Sequence, residues 1–261
     1  MEKVITEIDS DGIARVTLDN PSKHNAFDDQ IIAQLTDAFS AVAANSNVRV
    51  MVLASEGKSF SAGADLDWMK RMASYSYDEN LQDARALALM LQTLKTMPQP
   101  TIARIQGAVF GGAVGLVSCC DIAVAATVAT FSLSEVKIGL VPATVSPYVI
   151  EAIGARAARR YFMTAERFSA QTAKHIGLLS EVIGPENLDK QIGLLIDALL
   201  ANGPEAVIAS KQLVADINGQ AIGSNLIEHT YKMIAKIRVS EQGQEGLQAF
   251  LEKRKPHWLE D

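Results

Sequence analysis

Three segments carry residues whose types and spacing could do chemistry. The first is Phe131-Ser-Leu-Ser-Glu135, a carboxylate among apolar neighbours ahead of the loop Val136–Pro142. Beside a dry pocket its pKa would be pushed upward by desolvation, which suits a general acid/base; the alternative is a surface glutamate at a strand end. The second is Ser59-Phe-Ser-Ala-Gly-Ala-Asp-Leu66, where Ala62, Gly63 and Ala64 allow close approach of backbone to a ligand. The alternative there is a tight strand-to-helix connection with Asp65 as its N-cap. The third is Gly107-Ala-Val-Phe-Gly-Gly-Ala-Val-Gly-Leu116, after an apolar strand and opening a short helix. It lacks the Gly-Lys-Ser/Thr of a phosphate loop and the spacing of a dinucleotide fingerprint, and close helix packing is the alternative. Two such turns, each able to present one backbone N–H, suggest an oxyanion hole assembled from two loops.

Other chemistries find less support. His24, His175, His229 and His257 have no nucleophile motif around them, and neither Gly-x-Ser-x-Gly nor His-Glu-x-x-His occurs. Metal catalysis is not expected, because Cys119 and Cys120 are adjacent and lack a ligand spacing. The 24 Lys+Arg against 30 Asp+Glu give a net charge of −6, which argues against a general nucleic-acid binder. A polyanionic ligand must then meet a local basic patch. At 261 residues, 48% hydrophobic and 21% charged, the chain is expected to be a soluble enzyme-sized protein. Charges at Glu2, Glu7 and Asp9 read as mature protein from the start, and two adjacent cysteines, unable to staple distant parts of the chain, read as a cytoplasmic location. The apolar stretch Gly107–Phe131 contains Asp121 and four glycines in its first half, so it reads as buried core at a functional turn, not a membrane span.

The elements that must position these segments follow from periodicity. Val4–Ile8 and Ile13–Leu18 predict a hairpin across Asp9–Gly12. Ile32, Leu35, Phe39 and Val42 recur at helical spacing, and Val48–Ala54 is an apolar strand. A second unit runs through a helix over Leu81–Leu94, the break Pro98-Gln-Pro100, a strand Thr101–Ile105 and a helix from about Gly112 to Cys119. The third comprises Ile122–Ala126, Phe131, and helices over Val145–Ile153 and Ala155–Thr164. Strands alternating with helices predict a parallel α/β sheet with right-handed crossovers. Beyond Val182 the β signal ends, and residues from Asn187 to Phe250 read as helices broken at Gly203-Pro204 and Asn218–Gly223. A division into a core, residues 1–195, and a helical region, residues 196–261, is expected.

Taken together and in order, Asn20-Pro-x-x-x-Asn-Ala-Phe27, Phe60–Leu66, Gly107–Ala113, Asp121-Ile-Ala-Val-Ala and Phe131–Glu135 resemble the crotonase, or enoyl-CoA hydratase/isomerase, superfamily over nearly the whole chain. The resemblance implies a ClpP-like spiral of ββα units, a helical C-terminal trimerisation region, and a homotrimer or dimer of trimers. It also implies an acyl-CoA thioester substrate, with coenzyme A as part of that substrate and no separate cofactor. The oxyanion donors then fall on the backbone N–H groups of Ala64 and Gly112, and the acid/base on Glu135. Substrate and coenzyme A contacts fall on Lys23, Ala26, Ala62, Asp65, Leu66 and Gly111, with Lys253 and Lys255 near the C-terminus as further cations. Lys253–Lys255 could equally cap a final helix electrostatically.

One departure discriminates. Two-glutamate hydratases of this superfamily carry a first glutamate three residues after the oxyanion glycine, and here that position is Gly115. A single glutamate at the Glu135 position is shared with enoyl-CoA isomerases, so both hydration and Δ3,Δ2 double-bond migration are open. A second polar group holding water near Gly115 would support hydration; a dry apolar wall would support isomerisation. Finer similarity of Phe110–Ile122, Leu133–Pro147 and Ala157–Arg167 to bacterial 3-methylglutaconyl-CoA and isohexenylglutaconyl-CoA hydratases implies hydration of a branched or carboxylated acyl group, in leucine or terpene breakdown. Lys70, Arg71 and Arg159 are candidates to meet the extra carboxylate, with a solvated helix face as the alternative for each.

Overall fold

The computed structural model describes residues 3–259. Its strands and helices, in chain order, are β1 (Val4–Ile8), β2 (Ile13–Leu18), α1 (Asp29–Ala44), β3 (Val50–Ser55), α2 (Leu66–Met72), α3 (Tyr77–Lys95), β4 (Thr101–Ile105), β5 (Val109–Phe110), α4 (Gly112–Cys119), β6 (Ile122–Ala126) and β7 (Thr130–Ser132). There follow α5 (Ser146–Thr164), β8 (Phe168–Ser169), α6 (Ala170–His175), β9 (Glu181–Ile183), α7 (Leu188–Leu200), α8 (Pro204–Ile217), α9 (Ser224–Arg238) and α10 (Glu241–Glu252).

The strands build two sheets. One has the order β1-β2-β3-β4-β6-β9, antiparallel at the β1-β2 hairpin and parallel elsewhere; the other is β5-β7-β8. From β4 onward the chain alternates between them: β4 and β6 lie in the large sheet, β5 and β7 in the small one. This is the ββα spiral the resemblance implied. The loop after β3 bridges to β5 through Ser61 and Val109, and β5 pairs with β7, so the segments that follow β3, β4 and β7 meet.

Alternation of side chains across the large sheet explains its two layers. On β3, Met51 and Leu53 face one core with Ile32, Leu35, Phe39 and Val42 of α1, whereas Val50 and Val52 face a second with Leu188, Ile192 and Ile196 of α7. A strand buried on both faces reads as a continuous apolar run, as Val50–Ala54 does. Each of these large apolar side chains contributes about 1.5–3 kcal/mol by leaving water. The second layer lies across the expected division at residue 195. α7 spans residue 195 and packs on the sheet, and Arg49 donates to the carbonyls of Leu200 and Asn202 at its end. Other boundaries lie close to expectation: Gly154, with φ of 73°, interrupts α5 where two helices were expected. No single helix among the described residues is long and apolar enough to cross a membrane, and the stretch after Gly107 is buried throughout Ala113–Cys119.

Candidate active site

The loop after β3 is held between two others by single bridges. Ser61 pairs with Val109, and Ala64 with Phe27, each in parallel sense. In the second bridge Phe27 donates its N–H to the Gly63 carbonyl at 2.7 Å, and Asp65 donates to the Phe27 carbonyl at 2.7 Å. The bonds of both neighbours turn the N–H of Ala64 itself away from the ladder. Gly63 makes this possible: its φ is +90°, and a Cβ there would lie 3.0 Å from the Phe110 carbonyl oxygen.

The partner loop arrives from the other side. Gly111 adopts φ 56° and ψ −125°, a backbone state reserved for glycine, and its N–H donates to the Ser132 carbonyl at 2.9 Å. Gly112 follows as the first residue of α4, where no intrahelical acceptor exists for its N–H. Among the described residues the N–H groups of Ala62, Gly63, Asp65 and Gly111 all have acceptors, whereas those of Ala64 and Gly112 have none in the protein. These two free donors are those on which the family resemblance lays the oxyanion hole.

Glu135 opens a short 3-10 turn, Glu135–Ile138, directly after β7. It is half-buried, and Oε1 lies 3.5 Å from where a Cβ on Gly111 would stand. Its other oxygen, Oε2, is buried without a hydrogen-bond partner. Desolvation raises the pKa of this carboxyl, opposed only by a bond from its own backbone N–H. The acid/base candidate therefore stands against the oxyanion loop with an unused oxygen.

Gly115 stands one turn along α4 from Gly112. A Cβ at this position would meet Val145 Cγ1 at 2.5 Å and Leu91 Cδ2 at 3.3 Å. The wall is apolar.

The chain belongs to the enoyl-CoA hydratase/isomerase family. The family model described as "Enoyl-CoA hydratase/isomerase" matches residues 9–261. The chain is 45% identical to an enoyl-CoA hydratase of known structure from Shewanella pealeana, with a TM-score of 0.95, covering 98% of this chain and 96% of that one. It is 30% identical over 258 residues to a putative enoyl-CoA hydratase of Thermus thermophilus, covering 97% of this chain and 100% of the other. It is 29% identical over 243 residues to the 2,3-dehydroadipyl-CoA hydratase of Escherichia coli, covering 92% of each. An acyl-CoA substrate is consistent with this membership.

The remaining family candidates fall in different places. Asn25, with no exposed surface, fixes the loop before α1: its amide donates to the carbonyls of Glu56 at 2.8 Å and Ser59 at 2.9 Å, and its oxygen accepts the Asn20 N–H at 2.9 Å. This brings Ala26 and Phe27 beside Ala62–Leu66, with the Ala62 N–H on the His24 carbonyl at 3.0 Å. Lys23 reaches Asp65 at 2.8 Å and Asp67 at 3.3 Å, so its charge is already matched, and the first of these bonds raises its pKa. Asp65 also caps α2 by accepting from Asp67 and Trp68, so the capping alternative describes its contacts. Leu66 is 72% exposed beside the site, available as a contact surface. Lys253, in a left-handed conformation, ends α10, and Lys255 is exposed beyond it; within one chain α10 packs on α8 and α9.

The cations considered for a substrate carboxylate are mostly engaged. Lys70 pairs with Asp67 at 3.1 Å, Arg71 pairs with Asp29, and Arg159 is exposed on α5. Two residues of the neighbourhood had no signal in the sequence. Val145 is an ordinary valine until its contact with Gly115 is seen. Arg167 lies 4.9 Å over the Phe110 ring, a pairing across the small sheet that only the tertiary fold creates.

Proposed function

We propose that this protein hydrates a 2,3-enoyl-CoA reversibly, using one carboxylate. The observation that carries the reading is the convergence of Glu135, with its unpartnered Oε2, on the loop whose Gly112 N–H is free. The thioester oxygen would sit between the N–H groups of Ala64 and Gly112. Water adds to C3, the electron pair of the double bond moves toward the thioester, and charge collects on that oxygen as an enolate. Each donor of this kind is worth about 2.7–4 kcal/mol of transition-state stabilisation. Glu135 takes the proton from water during attack and returns a proton to C2, both on one face, so addition is syn. Its raised pKa suits it to both halves. No other cofactor or metal is needed, since coenzyme A enters as part of the substrate.

Double-bond migration is a second reading, with which the apolar Val145 and Leu91 wall at Gly115 is consistent, although the relatives are named for hydration. The same enolate serves both, with Glu135 moving a proton between C2 and C4. Incubating the pure protein with a 2-enoyl-CoA and with a 3-enoyl-CoA separates them. Hydration predicts 3-hydroxyacyl-CoA from the first; migration without hydroxylated product would reject it.

A branched or carboxylated acyl group, such as 3-methylglutaconyl or isohexenylglutaconyl, is part of the proposal. It is supported by the sequence resemblance and by the relative named for 2,3-dehydroadipyl-CoA. A homotrimer or dimer of trimers is supported by α9, where Ile227, Tyr231 and Ile234 form an exposed apolar stripe at helical spacing. Light scattering on the eluting protein measures it; a monomer at micromolar concentration would reject it.

A further inference from the structure

We propose that Val145 sets the number of carboxylates in this site, by occupying the volume a second acid/base at position 115 would need. The inference rests on the one-carboxylate reading above and deepens it. Gly112 and Gly115 are three residues apart on α4, hence on one face of the helix. Gly115 also lies one turn beyond Gly111, where a Cβ would stand 3.5 Å from Glu135 Oε1, so a side chain at 115 would leave α4 on the side from which the carboxylate approaches. That direction is closed: Val145 Cγ1 and Cβ stand 2.5 and 2.9 Å from the required Cβ, and Leu91 Cδ2 stands at 3.3 Å.

Both blocking residues are fixed. Val145 is 3% exposed and Leu91 fully buried, and Val145 is the N-cap of α5, bonded through its carbonyl to the Val149 N–H at 3.1 Å. Neither can swing away without disturbing a helix or the core. Val145 and Glu135 also belong to one connection, the segment between β7 and α5. The segment that brings the carboxylate to one side of the site thus brings the plug to the other. Glycine at 115 and valine at 145 are a matched pair, so a single change at 115 cannot convert the site to two carboxylates.

The test is a pair of cycles on the full-length protein. In the first, Gly115→Ala lowers the melting midpoint by about 5 °C, as overpacking does, and by less than half as much when Val145→Ala is present. Equal losses in the two backgrounds would overturn the proposal. In the second, Gly115→Glu is combined with Val145→Gly, and the pH dependence of kcat/KM is read with 2-butenoyl-CoA. A new carboxylate facing Glu135 splits the acidic limb into two ionisations and moves the upper one above that of the wild type. A folded double variant with the wild-type single limb would overturn the proposal. Should the double variant not fold, the melting cycle decides. Wild-type protein that turns over neither a 2-enoyl-CoA nor a 3-enoyl-CoA rejects the proposed function, while the melting cycle still tests the matched pair.

Discussion

The mouth of the site and the collar beneath it are built from the same loops, yet their polar groups are satisfied to different degrees. In the collar, Asn25 uses both ends of its amide, and Asp65 holds Lys23 and two N–H groups of α2. The Asn20 amide nitrogen is an exception. At the mouth, the N–H groups of Ala64 and Gly112 and the Oε2 of Glu135 have no protein partner. Of these, Oε2 is buried, and leaving a buried polar group unmatched costs folding free energy, of the order of 1–3 kcal/mol. The difference teaches where binding and chemistry are to be sought: the collar positions, and the mouth keeps its capacity for a ligand that carries an oxyanion and a transferable proton.

Changes at the mouth should cost turnover with little loss of fold. Glu135→Gln keeps the shape and removes the acid/base, and turnover with an enoyl-CoA should fall about 10²–10⁴-fold while coenzyme A binding persists. Retained turnover would place the acid/base elsewhere. Gly112→Pro removes a backbone donor at a helix position where proline is tolerated, and kcat should fall about 10²–10³-fold with helix content unchanged by circular dichroism. An unchanged kcat would mean that this N–H does not hold the oxyanion.

Changes in the collar should do the reverse. Asn25→Ala takes the acceptor from the half-buried Asn20 N–H and a donor from the carbonyls of Glu56 and Ser59, of which the latter keeps the Gln106 amide at 3.2 Å. It should cost about 2–4 kcal/mol in denaturant unfolding, with activity lost only in proportion to folded protein. Asp65→Ala should cost less, about 1–2 kcal/mol. Most of that is the lost N-cap of α2, because Lys23 is half exposed and its ion pair adds little. A loss larger than that of Asn25→Ala would reverse the ranking of the two supports.

How much of this could be read from the sequence depends on the range of the interactions. Segments whose signal is local were legible: the glycines that let two loops meet, the apolar strands, the N-cap at Asp65 and the carboxylate at Glu135. Contacts between distant segments were not. Asp121 accepts from Thr101 N–H at 2.8 Å and from Lys211 at 2.6 Å, tying α8 to the edge of the core. Nothing in Lys211 or in its helix announces that partner. Lys23 looked like a free cation because Asp65 and Asp67 lie more than forty residues away. Val145 escaped notice because a volume constraint leaves no mark on residue type.

The smallest expected effect separates two carboxylates of the site through pH. Asp65 has its pKa lowered, chiefly by the Lys23 bond, so its stabilisation is present above the unfolded value of 3.8 and lost as pH falls through the lowered one. Glu135 has its pKa raised by desolvation, so ionising it costs stability as pH rises above 4.5 and through the raised folded value. Glu135→Gln should therefore melt higher than the wild type at neutral pH, with the gap closing toward pH 4. Asp65→Asn should melt lower at neutral pH, and its gap too should close as acid protonates the wild-type Asp65. The two variants thus deviate in opposite directions above pH 5 and converge on the wild type in acid. Deviations of the same sign at neutral pH would show that Glu135 is a satisfied structural carboxylate, and the contrast between mouth and collar would fall with it.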